Sequence, residues 1–241
     1  IDDLLVGADL AGTAETASGA GYVIFGSDQA WSSTLGLSNL DGSNGFAIYG
    51  VATGDELGST ASFAGDINVD GIADLIVGAP KADPNGDASG ASYVVFGSNE
   101  AWSRSLNVSE LNGANGFALN GVAAGDNAGS SVNFAADFNA DGFDDVIIGA
   151  PNADPNGDAS GASYVVFGSD QAWSATIEVS SLNGANGFVI NGVSAGDQSG
   201  GSVSTAGDIN NDGYDDILTG ARLADPNGDS SGASYVVYGG I

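Results

Sequence analysis

Asp208-Ile209-Asn210-Asn211-Asp212-Gly213-Tyr214-Asp215-Asp216 is one of three copies of a nine-residue pattern, D-x-N-x-D-G-x-x-D. The other two are Asp137-Phe138-Asn139-Ala140-Asp141-Gly142-Phe143-Asp144-Asp145 and Asp66-Ile67-Asn68-Val69-Asp70-Gly71-Ile72-Ala73-Asp74. Side-chain oxygens at positions 1, 3, 5 and 9 can converge on one point. Gly at position 6 permits the sharp turn between them, and position 7 offers a backbone carbonyl. An all-oxygen shell of this kind suits a hard cation of calcium size. Three carboxylates forced together without a cation repel one another and must shift their protonation or spread apart. Asp, Asn and Gly are also ordinary turn residues, so three acidic surface turns are the plainer alternative. Four oxygens and one glycine at the same offsets, three times over, favour calcium.

The flanks separate this loop from the helix-flanked calcium loop that ends in a bidentate Glu at position 12. Position 12 here is Val77, Ile148 or Thr219. Each loop runs into a short β-branched segment bounded by Gly: Leu75-Ile76-Val77, Val146-Ile147-Ile148 and Ile217-Leu218-Thr219. Such a run reads as a buried strand. An alternating segment such as Ser202-Val203-Ser204-Thr205-Ala206 precedes the loop. The loop therefore joins two strands of a hairpin.

The same interval governs the whole chain. Tyr22, Tyr93, Tyr164 and Tyr235 stand 71 residues apart, as do Trp31, Trp102 and Trp173. A repeat of strands and turns this long points to propeller blades or a related array. One unit reads as a strand near 131–135, the loop, a strand near 145–149, a turn at 154–158, a strand over 162–168 and a fourth strand over 187–191. The expectation is an all-β propeller of four-stranded antiparallel blades forming an incomplete ring. The single segment 1–241 divides into a partial blade 1–50, blades 51–121 and 122–192, and a partial blade 193–241. Fourteen strands are expected, about three and a half blades. Ile1-Asp2-Asp3-Leu4-Leu5-Val6-Gly7-Ala8 aligns with Ile72 to Ala79, which makes Asp3 the ninth position of a further loop. Open blade edges would associate, so a second copy or a further stretch of the same polypeptide is expected to complete the array.

Composition narrows the partners. The 241 residues hold 31 acidic and 3 basic side chains, a formal charge of −28. Polyanions such as nucleic acid and anionic membrane surfaces are repelled, whereas cations are attracted. Lys81, Arg104 and Arg222 form no basic patch. At 42 % hydrophobic residues the chain can build a core, and 40 glycines suit many tight turns. Cysteine is absent, so packing and metal must supply what disulfides otherwise would. No apolar run is long enough to cross a bilayer as a helix. A chain needing several calcium ions is expected outside the cell, secreted or at its surface. Without His or Cys the common catalytic bases and thiol nucleophiles are missing, so the expectation is a non-enzyme.

These loops, each followed by Gly78-Ala79-Pro80, Gly149-Ala150-Pro151 or Gly220-Ala221-Arg222 and then by Ser-Gly-Ala-Ser-Tyr-Val-Val, resemble FG-GAP repeats. Those are the blades of the integrin α-subunit propeller and of large secreted bacterial proteins. Leu57-Gly58, Ala128-Gly129 and Ser199-Gly200 stand where Phe-Gly is expected. The resemblance implies a propeller with calcium in hairpin loops on one face. By residue match the ligands are Asp66, Asn68, Asp70, the Ile72 carbonyl and Asp74. The second set is Asp137, Asn139, Asp141, the Phe143 carbonyl and Asp145; the third is Asp208, Asn210, Asp212, the Tyr214 carbonyl and Asp216. The implied function is a calcium-binding structural or adhesion repeat with a protein or glycan partner. A carbohydrate-binding propeller is the alternative, and a secreted polysaccharide- or phosphoester-cleaving domain stands behind both.

Secondary signals carry two readings each. Asp83-Pro84-Asn85-Gly86-Asp87 recurs at 154–158 and 225–229. It reads as a turn, or as a second D-x-N-x-D cation loop. The first repeat carries Gly12, Ala14 and Thr16 at those oxygen positions. The three tryptophans read as plugs between adjacent blades, or as platforms for sugar rings. Asp55, Asp126 and Asp197 are expected to hold local backbone.

Overall fold

The β-branched run behind each loop is apolar on both faces, so it must be covered from both sides. In the computed structural model, which describes residues 1–12 and 17–240, each of the three runs becomes the second strand of its own sheet. Sheet I contains β1 (Leu4–Ala8), β2 (Ala20–Ile24) and β3 (Gly45–Tyr49). Sheet II contains β4 (Thr60–Gly65), β5 (Asp74–Ala79), β6 (Ala91–Val95) and, beyond β7 (Ser105–Asn107) in the chain, β8 (Gly116–Asn120). Sheet III contains β9 (Ser131–Ala136), β10 (Asp145–Ala150), β11 (Ala162–Val166) and, beyond β12 (Thr176–Glu178), β13 (Gly187–Asn191). Sheet IV contains β14 (Ser199–Gly207), β15 (Asp216–Ala221) and β16 (Ala233–Val237). Equivalent strands keep one register: Leu75 faces Val95, Val146 faces Val166 and Ile217 faces Val237. These are propeller blades in an open array, as the 71-residue interval requires.

The strand count differs from expectation, with sixteen strands among the described residues instead of fourteen. The two extra ones, β7 and β12, lie in the connections that carry Trp102 and Trp173. Each pairs in parallel with the last strand of the preceding sheet, Ser105 beside Ala47 and Thr176 beside Ala118. The blades are thus not purely antiparallel, since each connection lends a strand backwards. Three-residue strands are too short to show an alternation, so nothing in the sequence marked them.

Three apolar clusters lie between successive sheets. Val23 and Ile48 meet Leu75 and Val77 between sheets I and II. Ile76 and Val94 meet Val146 and Ile148 between II and III. Ile147 and Val165 meet Val203 and Ile217 between III and IV. The first strands β4, β9 and β14 touch one another in turn, which sets them along the inner side. There the sheets approach so closely that only glycine fits. A Cβ on Gly78 would stand 2.1 Å from the Gly129 carbonyl oxygen, and one on Gly149 would stand 1.9 Å from that of Gly200. The glycine of each Gly-Ala-Pro segment therefore seats on the glycine of the next repeat's degenerate Phe-Gly pair.

Candidate metal centre

In sheets II, III and IV the first strand ends in a bulge. The register slips beside Gly65 in sheet II and Gly207 in sheet IV, and between Asp145 and Val146 opposite Ala136 in sheet III. Gly65, Ala136 and Gly207 all take positive φ, 69°, 56° and 65°. A bulge with a left-handed residue turns the chain out of the ladder and aims the loop. Within the loop, position 4 is left-handed at Val69, Ala140 and Asn211, with φ of 54°, 53° and 59°. Position 6 is left-handed at Gly71, Gly142 and Gly213, where an added Cβ would meet nothing within 4 Å. Glycine is needed there for its backbone freedom, not for space.

This backbone path folds the side chains inward. Asp66 accepts from the Asp70 and Gly71 N–H groups at 3.0 and 2.9 Å. Asn68 Oδ1 accepts from Asp70 N at 3.0 Å, and its amide donates to Asp70 Oδ2 at 3.1 Å. Asp70 Oδ1 accepts from Ile72 N at 2.9 Å. The second and third loops repeat the set: Asp137 accepts from Asp141 and Gly142, and Asp208 from Asp212 and Gly213. The amides of Asn139 and Asn210 likewise donate to Asp141 and Asp212. Positions 1, 3 and 5 thus come together in all three loops, and Ile72, Phe143 and Tyr214 close them through their N–H groups. Among the described residues no three Asp or Glu carboxylates stand as a ready-made cation cluster. The loop oxygens are engaged by loop N–H groups and each keeps further lone pairs.

Position 9 is built differently. Asp74, Asp145 and Asp216 are fully buried behind the loop. Asp74 accepts from Ile67 N at 2.9 Å and from Gly97 N at 2.8 Å, which ties the loop to the end of the third strand. Asp145 bonds Phe138 N and Gly168 N, and Asp216 bonds Ile209 N and Gly239 N. Asp3 makes the matching bond to Gly26 N at 2.8 Å. Burial pushes the Asp74 carboxyl up to about 7; the two N–H donors oppose this and the carboxylates of Asp70 and Asp66 add to it. Asp145 is pushed up to about 7 by the same balance.

Two functional-looking residues are not among the fixed positions of the nine-residue pattern. Asp144, at position 8, reaches across to sheet II, where its Oδ2 accepts from Asp66 N at 2.7 Å. Burial pushes its carboxyl up and the Asp66 N–H pulls it down, while the neighbouring Asp66, Asp137 and Asp215 carboxylates push it up further. The only sequence signal was that position 8 is Ala73 in one copy and Asp144 or Asp215 in the others. Glu178 on β12 accepts from Asn120 Nδ2 at 2.9 Å and Asn85 Nδ2 at 2.6 Å, and so holds the preceding sheet.

The residues behind the secondary signals make structural contacts. Asp55, Asp126 and Asp197 accept from Ala52, Ala123 and Ser194 N–H groups, as local backbone holders. In the Asp83–Asp87 turn, Asp83 accepts from Ala88 N at 2.7 Å while the Asn85 amide leaves the turn for the Gly121 carbonyl at 2.7 Å. Asp154 and Asn156 repeat both bonds. Of the first repeat's counterparts, Ala14 and Thr16 lie outside the described residues. Trp102 stacks flat on Phe46 of sheet I at 4.0 Å, and Trp173 on Phe117 of sheet II at 4.4 Å. Each therefore gives one ring face to packing between blades. Trp31 is 55 % exposed.

Comparison with known proteins follows the same segments. The family model described as FG-GAP repeat matches residues 57–95, 128–166 and 199–237. Integrin alpha-4 of Xenopus laevis is 30 % identical over 177 residues, 72 % of this chain and 15 % of the integrin. Integrin alpha-6 of Gallus gallus is 31 % identical over 166 residues, 68 % of this chain and 13 % of the integrin. Phosphatidylinositol-glycan-specific phospholipase D of Bos taurus is 30 % identical over 182 residues, 75 % of this chain and 20 % of that protein. The chain spans a fifth or less of the length of each of these relatives.

Proposed function

Since the chain belongs to the FG-GAP repeat family, we propose that it is a calcium-binding, adhesion-type repeat domain of the cell exterior, secreted or displayed at a surface. The ions would sit in the three hairpin loops and stiffen them. The observation that carries this reading is the threefold loop whose left-handed turns gather an Asp, an Asn and a second Asp on its inner side. That donor set fits calcium: oxygens only, flexible in number, with carboxylates to balance the charge. Asp66, Asn68, Asp70, the Ile72 carbonyl and Asp74 would hold the first ion. Asp137, Asn139, Asp141, the Phe143 carbonyl and Asp145 would hold the second, and Asp208, Asn210, Asp212, the Tyr214 carbonyl and Asp216 the third. The chain's own part is to pre-shape the turn and to anchor position 9 against the third strand.

The adhesion part rests on the integrin relatives, and the partner proposed is a protein surface. A glycan partner is less well supported, because two of the three indoles are committed to stacking on phenylalanine. The activity in the phospholipase's name belongs to that protein, of which this chain matches 20 %. Without His or Cys the chain offers no imidazole or thiol centre, and its paired carboxylates are accounted for as loop and backbone holders, so we read it as a non-enzyme. No helix among the described residues is long and apolar enough to cross a membrane.

The test is calcium titration by calorimetry together with melting in excess chelator. Three ions per chain and a melting temperature that falls by roughly ten degrees or more on chelation are expected, because an ion held only by the native state stabilises it by mass action. A melting curve indifferent to chelator would overturn the calcium reading.

A further inference from the structure

The loops at 66–74 and 208–216 start from a glycine, Gly65 and Gly207, whereas the loop at 137–145 starts from Ala136. At Gly65 the space a Cβ would fill is taken by the Asp144 carboxylate, 2.2 Å from its Oδ2. This lets Asp144 reach the Asp66 N–H. One repeat on, Asp215 is the counterpart of Asp144, but Ala136 carries a methyl group where Gly65 carries none. Among the described residues, no side chain accepts the Asp137 N–H. A further link from each loop to the next sheet is common to both junctions: Ser169 N, just after β11, donates to the Ile67 carbonyl at 2.9 Å, and Gly240 N, just after β16, to that of Phe138 at 3.1 Å. The carboxylate bridge is therefore what distinguishes the first pair of loops from the second.

We propose that Asp144 is a positioning residue that couples the cation loop at 66–74 to the one at 137–145, while the loop at 208–216 binds its ion independently. The inference rests on the calcium reading above. Asp144 is covalently next to Asp145, the ninth position of its own loop, and hydrogen-bonded to Asp66, the first position of the other. An ion that orders Asp145 also orders Asp144, and through it the backbone that aims the Asp66 carboxylate. The second ion then binds a loop whose ordering cost is already met, which raises its affinity without a change of fold. Linkage makes the effect mutual.

Calorimetric calcium titration of the full chain tests this, with amide exchange at Asp66 as a second readout. The unaltered chain should bind three ions, two of them with positive coupling of at least about fivefold and one independently. Asp144→Ala should still bind three, now all independently, with the Asp66 amide exchanging faster; Asp144→Asn, which keeps an acceptor oxygen, should restore most of both. Ala136→Gly removes the blocking methyl and should bring the third loop into the coupled set. Three independent ions in the unaltered chain, or coupling that survives Asp144→Ala, would overturn the proposal and leave the calcium reading standing. No calcium bound at all would overturn both. If Asp144→Ala fails to fold, the Ala136→Gly gain decides: coupling unchanged from the unaltered chain counts against it.

Discussion

Phe117 and Phe188 hold the same place on the last strands of sheets II and III, 71 residues apart, yet they live in different surroundings. Phe117 is fully buried: Phe96 meets it edge-on at 5.8 Å and the Trp173 indole lies flat on it at 4.4 Å. Phe188 keeps the counterpart of Phe96, with Phe167 at 5.9 Å and Phe138 at 5.4 Å, but no indole covers it and it is half-buried. The sheets themselves are alike, with identical Ala-Ser-Tyr-Val-Val strands β6 and β11. Phe117 is covered by the connection of the following repeat, as Phe46 is covered by Trp102. A blade in this array is thus finished by its neighbour, which supplies both the covering tryptophan and a short parallel strand.

The largest expected effect is a difference between two equivalent substitutions. Phe117→Ala should cost about 3–5 kcal/mol of unfolding free energy, the usual loss for a fully buried ring. Phe188→Ala should cost roughly 1–2 kcal/mol, because a half-buried ring removes less area from water. Denaturant unfolding in saturating calcium measures both. Equal losses would mean that the tryptophan cover adds nothing and that the comparison is empty.

Trp173→Ala sharpens the same contrast, since it leaves Phe117 in the state of Phe188. A loss of about 2–3 kcal/mol is expected, less than for a fully buried ring because part of the indole is already solvated. In a double-mutant cycle with Phe117→Ala the stacked pair should show a coupling of about 0.5–1.5 kcal/mol. Independent, additive losses would show that the two rings merely share a neighbourhood.

Legibility in the sequence followed the range of the interaction. The loops, the strands on either side and the fourth strand at 187–191 were readable because each is set by residues within ten positions: left-handed turns, β-branched runs, bounding glycines. The plug role of Trp102 and Trp173 was also readable, since a large aromatic at a fixed place in a connection needs a partner ring. The lent strands β7 and β12 were not, because three residues carry no period. Asp144 was hidden for another reason. Its partner Asp66 is 78 residues away, and the bridge passes through the space that a Cβ on Gly65 would fill. A one-carbon difference at a bulge does not announce a contact between sheets.

The smallest effect concerns the polar clamp that accompanies the lent strand. Beside β12, the Glu178 carboxylate takes one amide from Asn120 on β8 and one from Asn85 in the turn of sheet II. Beside β7 the counterpart of Glu178 is Asn107, which spends its oxygen on the Ser109 N–H at 2.9 Å, facing Tyr49 where Asn120 would be. The Asn107 amide reaches only the Gly50 carbonyl, at 3.5 Å, so the two junctions share tryptophan and parallel strand but not the two-amide carboxylate clamp. Glu178 is half-buried and its donors have other bonds or access to water, so its removal should cost only about 1 kcal/mol. The sharper expectation is local. Glu178→Ala should speed amide exchange of β12 while leaving β7 unchanged, and Glu178→Gln, which retains one acceptor, should fall between. If β12 exchanges no faster in Glu178→Ala, backbone pairing alone holds the lent strand, and the two junctions are equivalent in everything but the residues that decorate them.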